Sequence, residues 1–74
     1  MREQFIELFE EILDRDAGSI LADDKFREFE EWDSLSTLAM SAMINEEYDV
    51  VIPRNEFEKL LTVSDIIDYI DKLR

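Results

Sequence analysis

Glu31-Trp32-Asp33-Ser34-Leu35 is where a polar loop gives way to a long stretch with helical apolar spacing. Ser and Asp are favoured at such a boundary because their side-chain oxygens accept from the unpaired amides of the first turn. A serine hydroxyl there also points outward beside those amides and the positive end of the helix dipole. A phosphate in that position is held without any further side chain. Two readings of Ser34 therefore stand side by side: an ordinary cap, or the attachment point of a covalently bound phosphodiester.

The helix beginning there should run from Ser34 to about Tyr48. At about 100° per residue, Leu35, Leu38, Ala39 and Ala42 fall on one stripe, and Met40, Met43 and Ile44 on a neighbouring one. One stripe is enough to face a core. The excess means either that the helix presents apolar surface to a partner or that it is deeply buried.

Upstream, Phe5, Ile6, Leu8, Phe9, Ile12 and Leu13 form the apolar stripe of a first helix from Arg2 to about Arg15. Glu3, Glu7, Glu10, Glu11 and Asp14 lie on its other side and read as a solvated surface. Asp16-Ala17-Gly18-Ser19, with the only glycine of the chain, supplies the stop. Residues 19–33 have no sustained period. Their Ile20, Leu21, Phe26, Phe29 and Trp32 suggest a long loop pinned to the core by apolar side chains. A loop of this length in a small domain is more often functional than accidental. The aromatics read as anchors rather than a ligand cage, since no cationic or planar ligand is otherwise indicated.

Downstream, Asp49 to Arg54 is an extended link in which Pro53 biases Ile52 away from helix. Asn55 with Glu58 resembles a capping box opening a short third helix with Phe57, Leu60 and Leu61. Thr62 with Asp65 repeats the device for a last helix whose stripe is Val63, Ile66, Ile67, Ile70 and Leu73. Lys72 and Arg74 suit its C-terminal end. The expected fold is all-α: a four-helix bundle of three longer helices and one short third helix, with a long loop between the first and second. Residues 1–74 are expected to form a single domain.

Charge and missing residue types narrow the function. Twenty acids against eight bases give a net charge of −12. Such a surface repels phosphate backbones, which argues against nucleic-acid binding, and draws proteins carrying Lys/Arg patches. The 46% apolar content and clear periodicity argue against disorder. With no cysteine there is no disulfide and no thiolate metal site, which fits a reducing compartment. No apolar run reaches membrane-spanning length, and Met1-Arg2-Glu3-Gln4 has no apolar signal region. A cytoplasmic protein without membrane insertion is expected, with monomer as the default. The absence of histidine removes Ser-His-Asp and Cys-His catalysis and the commonest metal ligand. The acids Asp14, Asp16, Asp23 and Asp24 do not meet calcium-loop spacing, so no metal site is expected. Ser34 has no partner in its own chain to activate it. The chain is not expected to be an enzyme, and any chemistry on Ser34 must be done by another protein.

Four blocks in register carry a resemblance over essentially the whole chain: Glu30-Glu31-Trp32-Asp33-Ser34-Leu35, Glu46-Glu47-Tyr48, Val51-Ile52-Pro53, and Leu61-Thr62-Val63-Ser64-Asp65-Ile66-Ile67-Asp68-Tyr69-Ile70. Together they resemble the acyl carrier protein family. The resemblance implies that Ser34 carries a 4′-phosphopantetheine arm, transferred from coenzyme A by a phosphopantetheinyl transferase. The arm's thiol would hold acyl or aminoacyl groups as thioesters for delivery between enzymes. Asp33 would help present Ser34, and Leu35 would pack against partners beside the arm. The second helix, with Leu38, Ala39 and Ala42 on the same stripe, resembles the family's recognition helix. The family's bundle interior can shelter an acyl chain; Met40, Met43, Ile44, Leu61 and Ile67 are the candidate lining, with core packing the simpler account of each.

Two departures from the family pattern matter. Trp32 stands where fatty-acid-type carriers usually have a small residue. Ser36, Ala39 and Ser41 are neutral where acids are usual, and acids return only at Glu46 and Glu47. These point to a specialised stand-alone carrier serving a polyketide, lipid-modifying or aminoacyl-loading pathway. Its partners would be a loading ligase and acyl-transfer or synthase enzymes with basic or apolar docking surfaces. The competing reading is a non-enzymatic acidic helical interaction module with no prosthetic group. It accounts for the charge but not for Asp-Ser-Leu with the Ile-Pro link after it.

Overall fold

Phe5 and Phe9, one turn apart and fully buried, define the inner face of α1, Arg2–Ile12. The computed structural model describes residues 2–73. After α1 it places α2 at Ser34–Tyr48, α3 at Arg54–Phe57 and α4 at Val63–Leu73, with a one-turn 3₁₀ helix, Phe26–Glu28, in the first long loop. The expected all-helical bundle, with a short third helix, is what forms. α1 packs against α2 and α4. Met40, Ile44, Val63, Ile66 and Ile70 complete the fully buried core around four phenylalanines, Phe5, Phe9, Phe26 and Phe57. Among the described residues no helix is long and apolar enough to cross a membrane.

α1 stops short of Arg15, and Gly18 is not its terminator. Asp14 turns left-handed at φ 57°. Its amide donates to the carbonyl of Glu11 (3.2 Å), and the Arg15 amide reaches back to that of Glu10 (2.8 Å). These bonds close the helix. α2 ends in the same way on Asp49, at φ 56° and ψ 39°. Aspartate tolerates this conformation better than most residues, but a steric cost remains, and its charge faces the negative end of the dipole. Asp14→Gly and Asp49→Gly are therefore each expected to stabilise the fold by about 0.5–1 kcal/mol. In a domain of this size that is a rise of about 2–8 °C in thermal midpoint, readable by circular dichroism.

The loop between α1 and α2 is held by polar bonds as much as by apolar anchors. Glu10, expected on the solvated face of α1, is instead only 4% exposed. Its Oε2 accepts the amides of Gly18 (2.9 Å) and Ile20 (3.0 Å). Asp24 Oδ2 accepts the Leu21 amide at 2.9 Å. Further along, the carbonyls of Ala22 and Asp24 accept from the amides of Ser64 (2.6 Å) and Val63 (3.1 Å). The loop thus satisfies first-turn donors of α4 that no intrahelical carbonyl can reach. Ile20 and Phe26 are buried anchors, Phe29 and Trp32 are partly buried against the core, and Leu21 faces solvent.

The Thr62–Asp65 capping box forms as expected. The Asp65 amide donates to Thr62 Oγ1 (3.1 Å), and Asp65 Oδ2 accepts the amides of Leu61 (3.0 Å) and Thr62 (3.1 Å). The Asn55–Glu58 box does not. α3 begins directly after Pro53, whose restricted φ of −57° suits a helix entry, and no side chain caps it. Asn55 lies inside this single turn, and Leu60 and Leu61 fall beyond it. Lys72 occupies the last turn of α4; Arg74 lies outside the described residues.

Candidate functional site

Ser34 is the first residue of α2, and the cap is its neighbour. Asp33 adopts extended backbone, and its Oδ1 accepts the Ser36 amide at 2.9 Å and the Ser36 hydroxyl at 3.1 Å. Those bonds hold the Asp33 carboxyl below the usual aspartate range. With Asp33 occupied by Ser36, the Ser34 hydroxyl makes no hydrogen bond to the described residues and is exposed. The two readings open at the sequence level separate here: capping belongs to Asp33, and Ser34 keeps a free hydroxyl at the positive end of a fifteen-residue helix.

Beside Ser34 runs an open groove of about 590 Å³ between α2 and α3. Leu38, Trp32, Ile52 and Phe57 supply its apolar wall. Thr37 and Ser41 of α2 supply hydroxyls, and Arg54 and Glu58 stand on the α3 side. Arg27 completes the wall from the 3₁₀ turn. Its Nε donates to the carbonyl of Leu60 at 2.9 Å and a terminal nitrogen to that of Phe57. Its guanidinium lies 5.0 Å from the Phe26 ring centre and 5.5 Å from that of Phe57. A cation bonded to the carbonyl of the last residue of α3 and to that of Leu60 just after it ties the C-terminal end of that short helix in place. Among the groove residues, Arg27, Ile52, Arg54 and Phe57 had no mark in the sequence as site residues. The only signal was an arginine set between Phe26 and Phe29.

The two stripes of α2 also part. Met40, Met43 and Ile44 turn inward, whereas Leu35 is 74% and Leu38 67% exposed, with Ala39 and Ala42 lying beside them on the outer side. Asp33, Leu35, Leu38, Ala39 and Ala42 therefore share the outer side of α2 with Ser34. The first turn of α2 contains no acid. Of the candidate acyl-chain lining, Met40, Met43, Ile44 and Ile67 are buried in the core, but Leu61 is 55% exposed and lies away from them. It sits just outside α3, where the chain turns into α4.

The approach to Ser34 is fixed by a long-range ion pair. Arg15 donates from Nε to Glu31 Oε2 (2.6 Å) and from a terminal nitrogen to Oε1 (3.0 Å), and its guanidinium lies 4.0 Å from the centre of the Phe29 ring. The Arg15 hydrogen bond, helped by the backbone and by Coulomb attraction, lowers the Glu31 carboxyl from 4.5 to about 2. A depressed carboxyl stabilises the fold above its unfolded value and loses that contribution as pH falls through its folded value. Acid titration from pH 4.5 towards 2 is therefore expected to release this tie. In Glu31→Gln the fall of the thermal midpoint over that window should be shallower than in the wild type. The difference should be small and shrink with salt, because the pair is exposed.

Similarity to known proteins extends over nearly the whole chain. A family model described as "Phosphopantetheine attachment site" matches residues 3–70. Acyl carrier proteins of Rickettsia canadensis and Rickettsia rickettsii are each 39% identical to this chain over 70 residues, covering 95% of it and 81% of the relative. The solution structure of a holo acyl carrier protein from Geobacter metallireducens superposes with a TM-score of 0.81 at 24% identity, over 96% of this chain and 82% of that one.

Proposed function

This chain belongs to the acyl carrier protein family, whose members are phosphopantetheine-bearing carriers rather than enzymes, and we propose that Ser34 is the residue that bears its arm. The observation that carries the assignment is the unbonded, exposed Ser34 hydroxyl beside a cap supplied entirely by Asp33. When bound, the 4′-phosphopantetheine arm supplies a terminal thiol that holds acyl groups as thioesters.

The chain's own part is to present one hydroxyl and hold its surroundings still. Asp33 fixes the first turn of α2, and the helix dipole favours an anion at Ser34. Asp33 Oδ1 is held by Ser36, and the Asp33 carboxylate makes no hydrogen bond to the Ser34 hydroxyl from which it could take the proton. The chain has no histidine to serve instead. Proton removal from Ser34 therefore falls to the phosphopantetheinyl transferase. Partner enzymes dock on the apolar stripe of Leu35, Leu38, Ala39 and Ala42, for which the exposure of both leucines is the support. A first turn without acids supports a specialised carrier for acyl or aminoacyl groups over one served by general fatty-acid enzymes.

Intact-protein mass before and after incubation with coenzyme A, magnesium and a broad-specificity transferase tests the assignment. The wild type should gain one phosphopantetheine and Ser34→Ala none. A folded wild type that gains nothing, or a Ser34→Ala variant that gains as much, would overturn it in favour of an acidic interaction module. Efficient turnover of the loaded carrier by general fatty-acid synthase enzymes would overturn the specialised role alone.

A further inference from the structure

We propose that this carrier keeps its cargo in the outer groove beside Ser34, and that Trp32, latched by Arg27, shuts the bundle interior to it. The inference rests on Ser34 as the attachment point. The groove is walled by Trp32 and Phe57 and includes none of Met40, Met43, Ile44 or Ile67. Between groove and core stands a stack of rings. The indole of Trp32 lies nearly parallel to Phe9 (centroids 5.9 Å, 20°) and to Phe57 (6.5 Å, 3°), with its edge contact on Phe26 at 4.7 Å. One side chain, two residues before the attachment point, thus reaches from α1 to α3.

Arg27 holds that wall from the other side. Its bonds to the carbonyls of Phe57 and Leu60 tie the end of α3 to the 3₁₀ turn, and its guanidinium packs on the Phe26 and Phe57 rings. An alkyl chain entering from Ser34 would have to displace the indole from three aromatic neighbours and part α3 from a charged donor in one movement. Beyond the wall Met40, Ile44, Ile66 and Ile70 are already packed to 0–1% exposure. A close-packed interior offers no space without that displacement. The groove itself, with Thr37, Ser41, Arg54 and Glu58 facing Leu38 and Ile52, has polar partners for a cargo's substituents. It suits short acyl groups bearing hydroxyl, amino or carbonyl groups more than a long alkyl chain.

The test uses the holo carrier loaded on non-hydrolysable amide analogues of the arm with acetyl, octanoyl and terminally brominated octanoyl groups. Loading is verified first by intact mass. Failure to load Ser34 would count against the attachment assignment, whereas the place of the cargo is decided by spectra of carriers already loaded. In the loaded wild type, octanoyl relative to acetyl should shift the methyl resonances of Leu38 and Ile52 and leave those of Ile44, Ile66, Ile67 and Ile70 in place. The brominated chain should quench the fluorescence of Trp32, the only tryptophan. The thermal midpoint should not rise with chain length. Shifts of the core isoleucines together with a midpoint that rises with length would overturn the proposal. So would a wild type with neither quenching nor groove shifts, whose chain lies in solvent. Trp32→Ala and, as the milder change, Arg27→Met should let octanoyl shift the core isoleucines. A folded Arg27→Met variant whose core stays unmoved would overturn the latch, and the wild-type measurement decides the rest should Trp32→Ala fail to fold.

Discussion

Glu10→Ala is expected to lower the unfolding free energy by about 1–3 kcal/mol, because it removes the acceptor of two backbone amides, one of them in a buried setting where an unmet donor costs about that much. The two are the amides of Gly18 and Ile20, both bonded to Glu10 Oε2, the latter in a fully buried setting. In a domain of about 60–100 residues this corresponds to a fall of about 5–25 °C in thermal midpoint. A chain of 74 residues has a thin margin, so that loss is a large share of its total stability. Glu10→Gln is the control. It keeps one oxygen acceptor in the same place and should retain most of the stability. Amide hydrogen exchange gives a second reading: Gly18 and Ile20 should lose protection in Glu10→Ala and keep it in Glu10→Gln. Equal stability of Glu10→Ala and the wild type would show that the loop finds its donors' partners elsewhere. The consequence reaches the site, because the loop held by Glu10 is the one that carries Phe26 and Trp32 to the wall beside Ser34.

What could be read in the sequence was whatever is decided within one turn of helix. The apolar periodicity located α1, α2 and α4. Thr62 and Asp65 announced the start of α4, because a capping box closes over three residues. Asp33 and Ser34 marked the start of α2, although only the geometry assigns the cap to one and the free hydroxyl to the other. Helix ends were harder. Glycine is the usual signal for a left-handed terminator, and here aspartates do that work at Asp14 and Asp49. The single turn of α3 is too short for any period to emerge, so the Asn55–Glu58 pattern was misleading. The rest depends on contacts between distant residues. Glu10 belongs with the acids of α1 by spacing and is buried only because the loop folds back onto it. The same is true of Arg15 with Glu31, sixteen residues apart, and of Arg27 with the Phe57 carbonyl, thirty apart. Two stripes on α2 were legible; which of them faced outward required knowing that the bundle covers only one side of this helix.

Leu35→Asp is expected to slow transfer of the arm to Ser34, and later turnover by partner enzymes, by about 30-fold or more, the scale of an apolar hot spot lost from the centre of an interface. Leu35 is 74% exposed, so its side chain contributes little to the core, and its substitution should leave the thermal midpoint almost unchanged. An acid in the first turn even complements the helix dipole. The effect should therefore appear in the KM for the carrier as substrate, with the fold intact by circular dichroism. Leu35→Lys makes the measurement decisive about the kind of docking. The chain carries −12 overall, and partners with basic surfaces are drawn by that charge. If charge dominated contact at this point of α2, Leu35→Asp would strengthen recognition and Leu35→Lys would weaken it. If an apolar pocket receives the leucine, both should weaken it alike, because either charge would be buried unpaired. Glu46→Gln, at the far end of the same helix, supplies the comparison. It should reduce the salt dependence of the association rate while leaving the near-Ser34 contact untouched. Loss in both leucine variants, with a separate salt-dependent loss in Glu46→Gln, would place apolar docking beside Ser34 and electrostatic steering at the C-terminal end of α2.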